Sequence, residues 1–130
     1  MPLNVAEGHV ESSGSTGAWK LDSGKCWAGD NDGYYGVQIE SKENTSVFIK
    51  LVKDPIKGWT LLASIPSTCS GKKCTLQVFQ PNECKPLDVN LKVYTFQRKG
   101  THQFDGDVTF DCTHDKAHVH GKLTVQRCIN

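Results

Sequence analysis

The sequence predicts an all-β protein, an antiparallel β-sandwich or flattened barrel of about eight strands stapled by disulfides. Three observations predict it. Short runs of alternating apolar and polar residues recur roughly every 8–14 residues, broken by clusters of Gly, Pro, Asn and Asp. No stretch repeats its apolar residues at helical spacing. Six cysteines stand in 130 residues, at positions 26, 69, 74, 84, 112 and 128, an even number without a paired CxxC of zinc-site type.

Taken in order, residues 1–17 are small and polar, with Gly8, Ser12, Ser13, Gly14, Ser15, Thr16 and Gly17, and read as a flexible leader. Residues 18–130 read as one β-rich domain. Its candidate strands cover 18–21, 34–41, 46–53, 59–65, 75–79, 88–97, 103–112 and 118–127. The breaks at 29–33, 42–44, 54–58, 70–73 and 81–83 carry turn residues. Alternation places Val47, Ile49 and Leu51 on one face, with Phe48, Lys50 and Val52 on the other. Val89, Leu91 and Val93 point inward, leaving Asn90, Lys92, Tyr94 and Phe96 outward. Covered by a loop, Tyr94 and Phe96 are packing; uncovered, they are a recognition surface.

The last two strands set a register. Phe104, Val108, Phe110 and Cys112 are all even, while Val119, Leu123 and Val125 are all odd, so paired positions must sum to an odd number. A short loop at 113–116 then pairs Phe110 with Val119 and Phe104 with Val125 inside. Outside it pairs Asp111 with His118, Thr109 with His120 and Asp107 with Lys122. That register keeps Cys112 far from Cys128. Cys69 with Cys74, Cys26 with Cys128 and Cys84 with Cys112 is the expected set among the fifteen pairings that six cysteines allow.

Composition bounds the function. The chain carries 15 Lys and Arg against 14 Asp and Glu, a net charge of +1. There is no basic stripe interleaved with aromatics, so nucleic-acid binding is not expected. No run of about 18 apolar residues is present to insert in a membrane as a helix. Counted with glycine, the apolar share falls just under the globular norm, so the core is lean and disulfides help it. Six oxidised cysteines belong to an oxidising compartment, secreted, extracellular or periplasmic, and an export signal is expected to have preceded Met1.

Several constellations carry chemistry. His114, His118 and His120 with Asp111 and Asp115 present three imidazoles and carboxylates within a short span, a set that suits Zn²⁺ or Cu²⁺, or a pH-sensitive surface. Asp30-Asn31-Asp32-Gly33 opens like a Ca²⁺ loop, but Ser41 stands where the twelfth-position Glu would be. Turn chemistry explains it without an ion. Trp19, Trp27 and Trp59 with Tyr34 and Tyr35 suit either core packing or a sugar-stacking platform. Asn44-Thr45-Ser46 is a formal N-glycosylation acceptor. No G-x-S-x-G elbow occurs, and the cysteines read as structural, so an enzyme is not expected.

The leading expectation is a non-enzymatic exported binding module, without a cofactor, that recognises a protein or glycan surface. Two alternatives stand beside it. One is a hydrolase inhibitor acting through the loop 67–74 with Lys72 and Lys73 at its tip. The other is a metal-binding protein built on the C-terminal histidines.

Overall fold

A computed structural model describes residues 3–71, 73–96 and 101–130; the side chain of Phe96 also lies outside the description. The molecule is all-β, nine antiparallel strands forming one sheet rolled into a nearly closed barrel. The strands are β1 (Val5–Gly14), β2 (Trp19–Ala28), β3 (Gly36–Ser41), β4 (Phe48–Asp54), β5 (Gly58–Ser64), β6 (Leu76–Phe79), β7 (Cys84–Phe96), β8 (Thr101–His114) and β9 (Ala117–Cys128). Their lateral order is β6-β5-β4-β3-β2-β1-β9-β8-β7.

Within the stretch read as a flexible leader, residues 5–14 are not free. Val5–Gly14 forms β1, which pairs with β2 on one side and β9 on the other. The segment looked like a linker because its inward positions are Ala6, Val10 and Ser12, only one of them bulky. Two strands supply its hydrogen bonds, so it needs little apolar surface of its own. Thr16 is buried beyond it, its hydroxyl 2.6 Å from that of Ser12. This strand raises the expected eight to nine.

The end strands β6 and β7 run the same way, because every neighbouring pair between them around the sheet is antiparallel. Only four residues separate Phe79 from Cys84. The chain therefore continues in one direction across the seam, turning a corner at the short 3₁₀ segment Pro81–Glu83. Glu83 secures that corner: its carboxylate accepts the Gln80 backbone N–H at 2.9 Å and meets His114 Nδ1 on β8. Cys84 lies opposite Cys112 in the ladder and is joined to it by a disulfide.

Inside the barrel, Leu21, Ile39, Ile49, Leu51, Leu61, Phe79, Phe104, Phe110 and Leu123 form one buried core. The expected faces of β4 hold, with Ile49 and Leu51 fully buried. In β7, Leu87, Val89, Leu91 and Val93 pack against the core, while Tyr94 is exposed.

From Gly106 to His114 the β8–β9 hairpin keeps the expected parity but closes two residues tighter, and a bulge between Phe104 and Gly106 then puts Phe104 opposite Cys128 instead of Val125. His114 pairs with Ala117, Cys112 with Val119 and Phe110 with Gly121, and only Asp115 and Lys116 remain in the turn. Asp115 takes a left-handed φ of 50°, a conformation Asp tolerates. The expected partners are therefore displaced: Asp111 stands opposite His120, Thr109 opposite Lys122 and Asp107 opposite Thr124. Asp111 still reaches His118 diagonally, 2.7 Å from its Nε2.

All three expected disulfides are present: Cys26–Cys128, Cys69–Cys74 and Cys84–Cys112. Among the described residues no helix is long and apolar enough to cross a membrane.

Candidate functional site

Strand β2 carries a shift of phase that decides what faces solvent. Val10 pairs with Leu21, but Glu7 pairs with Ser23, so the ladder slips between them. Past that bulge Gly24, Cys26 and Ala28 turn inward, and Lys25 and Trp27 turn outward. On the same outer face Trp27 pairs with Gln38, Lys25 with Glu40, Gln38 with Lys50 and Glu40 with Phe48. One patch of β2–β4 thus collects an indole, a phenyl, an amide, a carboxylate and two ammonium groups.

That patch is the floor of a groove of about 740 Å³. Trp27, Gln38, Glu40, Phe48 and Lys50 line it, with Asn31, Asp32 and Asn130 on one wall and Thr45, Gly71 and Cys74 on the other. Phe48 is only 8 % exposed although it sits on the outer face, where the disulfide loop lines the same groove. Ser64 fixes that floor residue: its buried hydroxyl donates to the Ser46 carbonyl at 2.7 Å and accepts the Phe48 N–H at 3.0 Å. The volume lies in the range of about 300–1,000 Å³ usual for ligand sites.

The wall at 29–32 is a 3₁₀ turn held from two sides. Tyr34 lays its ring on Gly29, where a Cβ would collide with it. Asp30 accepts from the His102 backbone N–H at 2.8 Å and from its Nδ1 at 2.6 Å, tying the turn to the start of β8. Both carboxylate oxygens of Asp30 are thereby used, while Asp32 faces the groove. The two do not form a cation cage.

The other expected site residues are dispersed. His118 and His120 do share a face and stack at 4.9 Å, but His114 is turned away to Glu83. His120 lies 3.7 Å from Glu11, and His9 bonds both Glu11 and Asp22. Among the described residues no group of three or more His, Cys, Asp or Glu can hold a metal ion.

The Glu83 carboxylate raises the pKa of His114. In return Glu83 is held below the usual carboxylate range, mainly by the Gln80 backbone N–H and then by His114. His9 is raised by Glu11 and Asp22.

The five aromatics are divided among separate places in the fold. Tyr35 packs edge-on against His102 and Phe104, and Trp59 lies beside it. Tyr34 has a buried hydroxyl with no partner among the described residues, and burial pushes its pKa up. Trp19 donates its indole N–H to the Thr16 carbonyl. Of the aromatic set only Trp27 lines the groove. Tyr94 is exposed on β7, away from it, and the side chain of Phe96 is outside the described residues.

Lys72 also lies outside the described residues; Lys73 is exposed in the loop, where its backbone exchanges hydrogen bonds with Ser70. Gln38 and Glu40 carried no motif that sequence reasoning selects. Only alternation on β3 and β4 hints at their shared face.

Comparison with known proteins returned no match, neither a family model nor a curated protein nor a solved structure. The groove is therefore read from its own chemistry. The three disulfides are compatible with an oxidising extracellular setting.

Proposed function

We propose that this chain is an exported, disulfide-braced, non-enzymatic binding module, and that the groove over β2–β4 is where its protein or glycan partner docks. The observation that carries this reading is the groove itself, an aromatic and amide floor walled by segments that are each tied down. A preorganised wall lowers the ordering cost of binding. The Cys69–Cys74 bridge braces one wall, and the Asp30–His102 bonds brace the other.

A second reading is favoured by the same loop. Closed by Cys69–Cys74 and by the Ser70–Lys73 backbone bonds, the segment 67–74 projects exposed residues from a rigid base, as a hydrolase inhibitor requires.

One experiment separates the two. Oxidised protein is immobilised and offered cell-surface glycans and proteins, beside Trp27→Ala and beside Lys72→Ala combined with Lys73→Ala. Loss of capture with Trp27→Ala alone supports the groove. Loss with the double lysine variant, together with lost inhibition of a protease or glycosidase, supports the loop. Capture unchanged by either contradicts both readings.

A further inference from the structure

Trp27 belongs to two grooves. Besides the larger one, it lines a second of about 310 Å³ with Leu3, Asn4, Val5, Gly24, Lys25 and Lys42. The two meet at the indole, so a ligand seated on it has room on either side. The indole is anchored at its edge. Turned so that both ends of its amide are satisfied, the Asn4 side chain accepts the Trp27 Nε1–H at 3.3 Å and donates to the Arg127 carbonyl at 2.8 Å. With its only donor used, the ring offers a ligand apolar surface alone.

Around that surface stand planar hydrogen-bonding groups: the amides of Gln38, Asn31 and Asn130 and the carboxylates of Asp32 and Glu40. Such a lining is poorly suited to a lipid tail or an apolar peptide, whose burial would strip water from these groups without replacing it. It suits a sugar ring, which has an apolar C–H face for the indole and a rim of hydroxyls for amides and carboxylates. The charges are unevenly distributed. Among the described residues the smaller groove is lined by two ammonium groups, Lys25 and Lys42, and no carboxylate, while the larger has Asp32 and Glu40 against Lys50.

We infer that the module holds a linear oligosaccharide laid across Trp27, with neutral sugars in the larger groove and an anionic group, carboxylate or sulfate, beside Lys25 and Lys42. This rests on the groove reading above and deepens it.

The test uses the full oxidised chain and three probes of one backbone: lacto-N-tetraose, its singly sialylated form and its singly sulfated form. Calorimetry and tryptophan fluorescence read the binding. The singly acidic probes bind about tenfold tighter than the neutral one, an advantage that falls with added salt. The sialylated and sulfated arms show which anion is preferred. Lys25→Gln with Lys42→Gln removes that advantage and leaves neutral binding within about twofold. Trp27→Ala abolishes binding of all three; should that variant not fold, Gln38→Ala, on the neighbouring strand, weakens all three alike.

Silence of every saccharide, or equal binding by wild type and Trp27→Ala, overturns the inference. If a protein partner is instead captured by wild type and lost with Trp27→Ala, the groove reading survives and the saccharide assignment fails. If neither saccharide nor protein depends on Trp27, both fail together.

Discussion

Tyr34, Gly29 and Ser64 show how single atoms hold the groove. The Tyr34 hydroxyl is buried without a partner among the described residues, a desolvation cost with no compensating bond. Tyr34→Phe is therefore expected to match or exceed wild type in urea denaturation, by up to about 1 kcal/mol; a loss of that size would mean the hydroxyl is satisfied. Gly29→Ala drives a methyl into the Tyr34 ring and should cost about 1–3 kcal/mol, the usual range for overpacking. Ser64→Ala leaves the Phe48 N–H and the Ser46 carbonyl without their buried partner and should cost about 1–3 kcal/mol. A cost near zero would show that water replaces the hydroxyl.

At this scale the sequence was only partly legible. Alternation alone put Phe48 and Lys50 on one face of their strand, opposite Ile49 and Leu51, without saying which face is the outer one. Trp27 could not be assigned, because the bulge in the β1–β2 ladder reverses the phase of β2 between Leu21 and Cys26.

Among the elements, the corner between β6 and β7 depends on the Cys84–Cys112 bridge and on the His114–Glu83 pair. His114 has its pKa raised in the folded state, so it adds stability below the unfolded histidine value near 6.5 and loses it as pH rises through the raised value. Glu83 has its pKa lowered, so its contribution is present above the unfolded carboxylate value and disappears as pH falls through the lowered one. The pair thus stabilises most in mildly acidic solution. His114→Gln should lower the thermal midpoint clearly at about pH 5.5 and hardly at about pH 8.5. An equal drop at both would show that the histidine acts by packing.

Turn residues and odd-sum pairing sufficed to place this hairpin within two residues. They did not fix the two-residue turn, because His114 and Thr113 are polar residues that continue a strand only by pairing with Ala117 and His118. Strand β1 was missed for a related reason. Its hydrogen bonds come from both neighbours, and its few apolar residues give periodicity nothing to detect.

For the molecule as a whole, nine strands in one sheet leave a seam, and the disulfides reinforce what the sheet leaves open. Cys26–Cys128 spans 102 positions and joins β2 to β9 past the start of β1. A loop of that length removes about 4.7 kcal/mol of unfolded-chain entropy in the simplest treatment, against about 2 kcal/mol for the local Cys69–Cys74 loop. Cys26→Ala with Cys128→Ala should therefore lower unfolding free energy by about 2–5 kcal/mol in guanidinium denaturation, about twice the effect of removing Cys69 and Cys74. Similar losses for the two pairs would contradict this ranking of the staples. Strand parity spoke only against a Cys112–Cys128 bridge and the short loop only for Cys69–Cys74; the other two bridges rested on tying the ends of the domain together, and all three are present. The groove was not legible, because it arises from residues on three strands, three connecting segments and the C-terminal Asn130 that meet only when the sheet curls.

The most direct test of the central claim is a two-dimensional ¹H–¹⁵N titration of the oxidised chain with singly sialylated lacto-N-tetraose. The largest shifts are expected at the Trp27 indole N–H and at the amides of Lys25, Gln38, Glu40 and Lys50. Shifts confined to the His9, Glu11, His118 and His120 face, or to Tyr94 on β7, would contradict it.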